Sequence, residues 1–105
     1  MVASERCSSL CLQEQNVPML ARCIDLTRAC ATMCELTARL MWSNSELTPK
    51  ACALCRDMCL ACIKECLKHE HDHCKVCAEA CQICADACSK LLANNQFALD
   101  LNELV

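Results

Sequence analysis

Glycine and tyrosine are missing altogether, while proline occurs twice and tryptophan and phenylalanine once each. Without glycine, tight turns that need positive φ lose their usual residue. With so few aromatic and β-branched side chains, strands have little to pack with. A sheet architecture is excluded on these grounds, and abundant Ala, Leu, Glu and Lys favour helix. No apolar run approaches the roughly 18 residues that span a bilayer. The net charge of −3 is mixed in sign along the chain, so no basic footprint for nucleic acid exists. The opening stretch, Met1-Val2-Ala3-Ser4-Glu5-Arg6-Cys7, has no apolar signal core, which reads as a cytosolic protein with no membrane partner. The 105 residues suit a single domain, 1–105, with one modest core.

What the chain has instead is fifteen cysteines. Ten of them form two matching ladders: Cys52, Cys55, Cys59, Cys62, Cys66 and Cys74, Cys77, Cys81, Cys84, Cys88, each spaced 3, 4, 3, 4. That alternation is the buried seam of a packed helix, usually filled by Leu, Ile or Val. The second helical segment carries a diluted seam of Cys23, Leu26 or Thr27, Cys30, Cys34, Thr37 and Met41, and the first carries Cys7 and Cys11. An odd cysteine count and no export signal argue against a disulfide framework. Thiols three or four apart on one helix also have nearly parallel Cβ vectors, unlike the dihedral near 90° of a disulfide.

Four helices are predicted, at about 4–15, 18–43, 49–68 and 73–94, separated by Asn16-Val17-Pro18, a loop at 43–49 and the connection His69-Glu70-His71-Asp72. Asn16, Thr48 and Asp72 are the expected N-caps, with Pro18 and Pro49 in first turns. Short connections make neighbours antiparallel, giving an all-α, up-down four-helix bundle with a cysteine-lined core and a short first helix. In that topology His69, His71, His73 and Met19 cluster at one end. The tail, 96–105, either docks as a short helix through Phe97, Leu99, Leu101 and Leu104 or stays loose.

A core of small thiols would leave voids, costing on the order of 24 cal/mol per Å³, unless something fills them. Soft metal ions do so, and thiolates favour Cu(I), Zn(II) and iron–sulfur clusters. Cys52, Cys55, Cys74 and Cys77 match a zinc spacing, but the ladder runs on through six cysteines that one zinc site would not use. Iron–sulfur ligation needs clustered runs, and a redox C-x₂-C needs a βαβ setting. Cu(I) accepts two or three thiolates, so a line of pairs makes many sites in series. Sharing each thiolate between two ions cancels most of the buried charge. The same 3-4 rhythm continues past Cys66 to His69 and then His73, which extends the candidate ligand set to those two imidazoles.

The two ladders, together with His69-x-His71-x-His73-Cys74, Cys11-Leu12-Gln13-Glu14 and Cys23-x₆-Cys30-x₃-Cys34, resemble the bacterial copper storage proteins. The likeness is to the cytosolic members without export signals. It implies a four-helix bundle holding many Cu(I) ions, a homo-oligomer that is commonly a tetramer, and a histidine-bearing end as one way in for copper. The first helix departs from the family by carrying only Cys7 and Cys11, which lowers the expected capacity. The competing expectations are a copper-transfer or sensing module, which needs few exposed ligands, and an enzyme, for which no nucleophile–base pair is marked.

Overall fold

The computed structural model describes residues 2–93. It contains helices α1 (Val2–Cys11), α2 (Ala21–Trp42), α3 (Thr48–Cys66) and α4 (Asp72–Ala93), with a 3₁₀ turn at Val17–Leu20 leading into α2. The expected tail at 96–105 lies outside the described residues. Cross-helix sulfur contacts fix the directions. Cys23 meets Cys66, Cys30 meets Cys59 and Cys34 meets Cys55, so α2 and α3 run antiparallel. Cys62 meets Cys77 while Cys55 meets Cys84, so α3 and α4 do too. Cys30–Cys81 and Cys34–Cys84 then make α2 and α4 parallel across the diagonal. α1 packs between α2 and α4 and closes the ring.

The helix ends differ from the sequence expectation in local ways. α1 stops at Cys11 instead of continuing to residue 15, and the chain winds down through Gln13 N–H to Leu10 O and Glu14 N–H to Cys11 O. Asn16 does not cap through its side chain; its carbonyl accepts from Met19 N–H and its Nδ2 donates to Met19 Sδ at 2.8 Å. Thr48 is the first residue of α3, and its hydroxyl donates to Ser45 O at 2.7 Å, which leaves it no capping role. Leu47 stands at the N-cap with no side-chain cap, and Ser45 Oγ accepts from its N–H in the preceding loop. Asp72 likewise falls inside the first turn of α4, where its carboxylate suits the helix N-terminus, while the His71 carbonyl accepts from Cys74 and Lys75 N–H.

With no glycine available, α2 is ended by Asn44 at φ 56°. Asn44 N–H bonds Met41 O and Ser45 N–H bonds Leu40 O, the paired pattern of a Schellman stop. Asparagine tolerates the left-handed region better than other non-glycine residues.

The core is built from the cysteines plus Leu20, Ile24 and Met33, with Ala31, Ala51, Ala78 and Ala85 letting helices approach closely. Buried Thr27 and Thr37 donate to the carbonyls one turn back, Cys23 O and Met33 O, so neither hydroxyl is left unsatisfied. Leu20, 2% exposed, is the one large aliphatic residue fully enclosed where the 3₁₀ turn meets α2. Truncation by Leu20→Ala should cost about 2–5 kcal/mol of stability. Urea unfolding of the reduced apoprotein checks this, with the midpoint expected to drop.

Candidate metal centre

All fifteen cysteines are free thiols, and thirteen are buried. The 3-4 spacing keeps each ladder on one helix face, and the antiparallel ring turns those faces inward. The sulfurs meet in successive layers. At one end Cys7 Sγ lies 4.0 Å from Cys11 and 3.8 Å from Cys74. Next come Cys23–Cys66 at 3.8 Å, Cys62–Cys66 at 3.9 Å and Cys62–Cys77 at 4.0 Å. Cys30 follows, 3.6 Å from Cys59 and 3.8 Å from Cys81. Beyond it Cys34, Cys55 and Cys84 form a triangle with sides of 3.6, 3.7 and 3.9 Å. Cys52 and Cys88 lie at the far end, and their side chains interact. The sulfurs thus approach one another closely, and the voids expected of a thiol core are narrowed by the small alanines alongside.

Three groups are compact enough for one ion to contact every member: Cys34, Cys55, Cys59 and Cys84; Cys30, Cys62 and Cys81; and Cys7, Cys66 and Cys77. A fourth combines Cys7, Cys11 and Cys74 with His73. The zinc spacing noted in the sequence is not realised as a site. Cys55 joins the Cys34–Cys84 triangle, whereas Cys77 sits with Cys62, so those ligands do not converge.

The histidines separate. His73 Nδ1 lies 3.5 Å from Cys7 Sγ, 3.6 Å from Cys74 and 4.0 Å from Cys11. Its other nitrogen, Nε2, is 3.0 Å from Glu14 Oε1. When Nε2–H donates to that carboxylate, the Nδ1 lone pair faces the three sulfurs, the arrangement by which a carboxylate orients a metal-binding imidazole. His71 stacks on His73 with ring centroids 5.3 Å apart and reaches the same Glu14 oxygen at 3.6 Å. His69 does not join the sulfurs. It is 2.9 Å from Glu65 Oε2, and buried Glu65 also meets Arg22 and Lys68. The reason is that α3 ends at Cys66, so the helical rhythm that would carry His69 to the seam has already stopped. Met19 stays 68% exposed at this end, held by Asn16.

Two further groups enter to which the sequence reading gave no role at the site. Ser4 Oγ sits in the core 3.5 Å from Cys77 Sγ and 3.8 Å from Cys81. Its place three residues before Cys7 continues the ladder, so the signal was present in the spacing. Glu14 had no such signal, since its partner His73 is 59 residues away. The fold also lines up Cys7, His73 and Glu14, a pairing that the sequence does not mark.

The solved structures of two relatives match this bundle. A Cu(I)-bound copper storage protein, BsCsp3, is 44% identical, with a TM-score of 0.80 over 84% of this chain and 83% of its own. The apo form of copper storage protein 3 from Bacillus subtilis is 44% identical, with a TM-score of 0.81 over 86% and 85%. An uncharacterised cysteine-rich protein of Bacillus subtilis strain 168, YhjQ, is 44% identical over 75 residues, 71% of this chain and 69% of that protein. The family model for copper storage proteins matches residues 1–93. The chain belongs to the copper storage protein family.

Thiols in this family member do not share one protonation behaviour. Burial first, then the neighbouring Cys23, pushes Cys11 up to about 12 and Cys74 up to about 11. Burial also raises Cys52, Cys84 and Cys88. Cys23 is lowered because the Cys66 and Cys7 thiols donate toward it, and Cys30 and Cys77 are lowered by donors of the same kind. Their partners Cys66, Cys59 and Cys62 are raised in turn, since the hydrogen bond is lost when the donor ionises.

Raised thiols outnumber lowered ones, so from pH 9 upward the folded apoprotein holds more protons than the unfolded chain. The raised thiols contribute stability that is fully present below about pH 9 and is lost as pH rises through the folded values near 11 and 12, whereas the lowered Cys23, Cys30 and Cys77 contribute most at pH 9 and above and lose it as pH falls. Urea midpoints of the reduced apoprotein should therefore decline between pH 9 and 11. The copper-loaded protein, already deprotonated, should show a much flatter profile; parallel declines would contradict the protonation scheme.

Proposed function

We propose that this chain stores Cu(I), holding many cuprous ions along the bundle axis. The observation that carries this reading is the line of reduced sulfurs, 3.6–4.0 Å apart within successive layers and within 4.8 Å from one layer to the next. The ligand set is the fifteen cysteines with His73, while His69 serves as a brace through Glu65. Zn(II) and Fe–S chemistry would use four sulfurs and leave the others idle, whereas Cu(I) sharing uses the whole line. Apo and Cu(I)-bound relatives superpose on this fold equally well, at TM-scores of 0.81 and 0.80, which supports a scaffold that fills without refolding.

The end bearing His71, His73, Glu14 and Met19 is the reading's main way in for copper. A transfer or sensing role needs few and exposed ligands, and thirteen buried thiols argue against it. The role is read as non-enzymatic: the burial of Cys7, the sulfur aligned with His73 and Glu14, argues against its use as a nucleophile on a substrate. No helix among the described residues is long and apolar enough to cross a membrane. Storage as reduced thiolate fits a reducing cytoplasm.

The whole chain, 1–105, acts in this reading as one metal-binding domain that assembles with copies of itself. Leu54, Val76 and Ile83 flank the thiol ladders on α3 and α4 and are 53%, 56% and 72% exposed in the single chain. Apolar side chains exposed on these helix flanks are the candidates for that contact between copies. Anaerobic Cu(I) titration against a competing chelator should reach about one copper per thiol with helicity nearly unchanged, and sedimentation of the same sample should show an oligomer. Saturation at one or two ions would end the storage reading, and a monomer would end the assembly.

A further inference from the structure

Among the described residues, Cys34 and Cys84 are the only cysteines that are not buried. They lie on α2 and α4, the two parallel helices that α1 bridges. α2 and α4 have 22 residues each, about 33 Å, whereas α1 has 10, about 15 Å. α1 covers the histidine-bearing half: Cys7 and Cys11 reach His73, and Ser4 reaches Cys77 and Cys81. The next seam thiol on α4 after Cys81 is Cys84, and its partner across the diagonal is Cys34, 3.7 Å away. Partial exposure therefore falls on the pair just past the reach of α1.

This pair does not stand alone. With Cys55 it forms the triangle of 3.6, 3.7 and 3.9 Å sides. Three sulfurs around one ion at about 2.3 Å, the usual metal–thiolate length, stand about 4.0 Å apart. The triangle is thus close to a three-coordinate soft-metal site as it stands. Behind it lies Cys59, within reach of the same ion, and Cys59 is 3.6 Å from Cys30, which is 3.8 Å from Cys81. Sulfur contacts therefore lead from the surface into the core without a gap.

We infer that Cys34, Cys55 and Cys84 form a lateral copper-exchange port, distinct from the histidine-bearing end, where low-molecular-weight thiols deliver or remove Cu(I). The inference rests on the storage reading. Exchange needs an incoming ligand to reach the ion, and among these sulfurs only Cys34 and Cys84 offer that access. In delivery, the Cu–S bonds to the carrier thiol break as Cu–S bonds to Cys34, Cys84 and Cys55 form. The three protein thiols release their protons, the departing carrier thiolates take protons up, and copper stays Cu(I) throughout. The net negative charge of one Cu(I) on three thiolates is tolerated here because the site is partly solvated.

Brief anaerobic alkylation of the full-length reduced apoprotein, mapped by peptide mass spectrometry, tests access. Cys34 and Cys84 should react on the order of tenfold faster than the other thirteen thiols. Reaction no faster than the rest would show the port covered and overturn the inference. The double variant Cys34→Ser/Cys84→Ser tests exchange. Glutathione-driven copper withdrawal from the loaded variant should slow on the order of tenfold, with most of the copper capacity kept. An unchanged withdrawal rate at that capacity would also overturn the port while leaving storage intact. Failure of the wild-type chain to take up copper would instead sink storage itself.

Discussion

Sulfur facing sulfur across a ring of helices is the constraint on which the rest of this structure depends. A helix seam of thiols buries little apolar surface per residue, so the bundle can close only if the helices come close together. Alanines at positions 31, 51, 78 and 85 allow that approach, and the sulfurs within a layer then stand 3.6–4.0 Å apart, near enough for one S–H to donate to the next sulfur. The same closeness that stabilises the reduced protein makes it receptive to a soft ion. Replacing S–H···S contacts by S–Cu–S bonds asks for loss of protons more than for movement of helices.

The two ends of the sulfur line are chemically different. At one end His73 adds a nitrogen to three sulfurs and is held in place by Glu14, with His71 stacked outside it. Toward the other, among the described residues, the thiols are flanked by α2, α3 and α4, and Cys34 and Cys84 come partly into solvent. Between them Ser4 and Thr27 place hydroxyls at seam positions. Thr27 spends its proton on the backbone, so it fills space without competing for metal as a thiolate would.

The ladder, its burial and the bundle were legible because a helix repeats every 3.6 residues and the thiols follow that period without interruption. Antiparallel packing followed from short connections. What the period could not reveal lies where it breaks. The 3₁₀ turn at Val17–Leu20, the Asn44 stop and the shift of the caps by a residue depend on competing local hydrogen bonds. His69 and His73 both continue the rhythm on paper, yet only His73 reaches the sulfurs, because it starts a new helix while His69 follows the end of an old one. Glu14 is visible only once α1 and α4 are side by side, since nothing nearby in the chain marks its partner.

X-ray absorption at the copper edge, on protein loaded anaerobically to saturation, addresses the central claim most directly. If the ions lie among the core sulfurs, the spectrum should be that of Cu(I) with an almost purely sulfur first shell and copper–copper scattering from neighbouring ions that share thiolates. A first shell dominated by nitrogen or oxygen, or a Cu(II) edge, would place the metal outside the sulfur line and contradict the account.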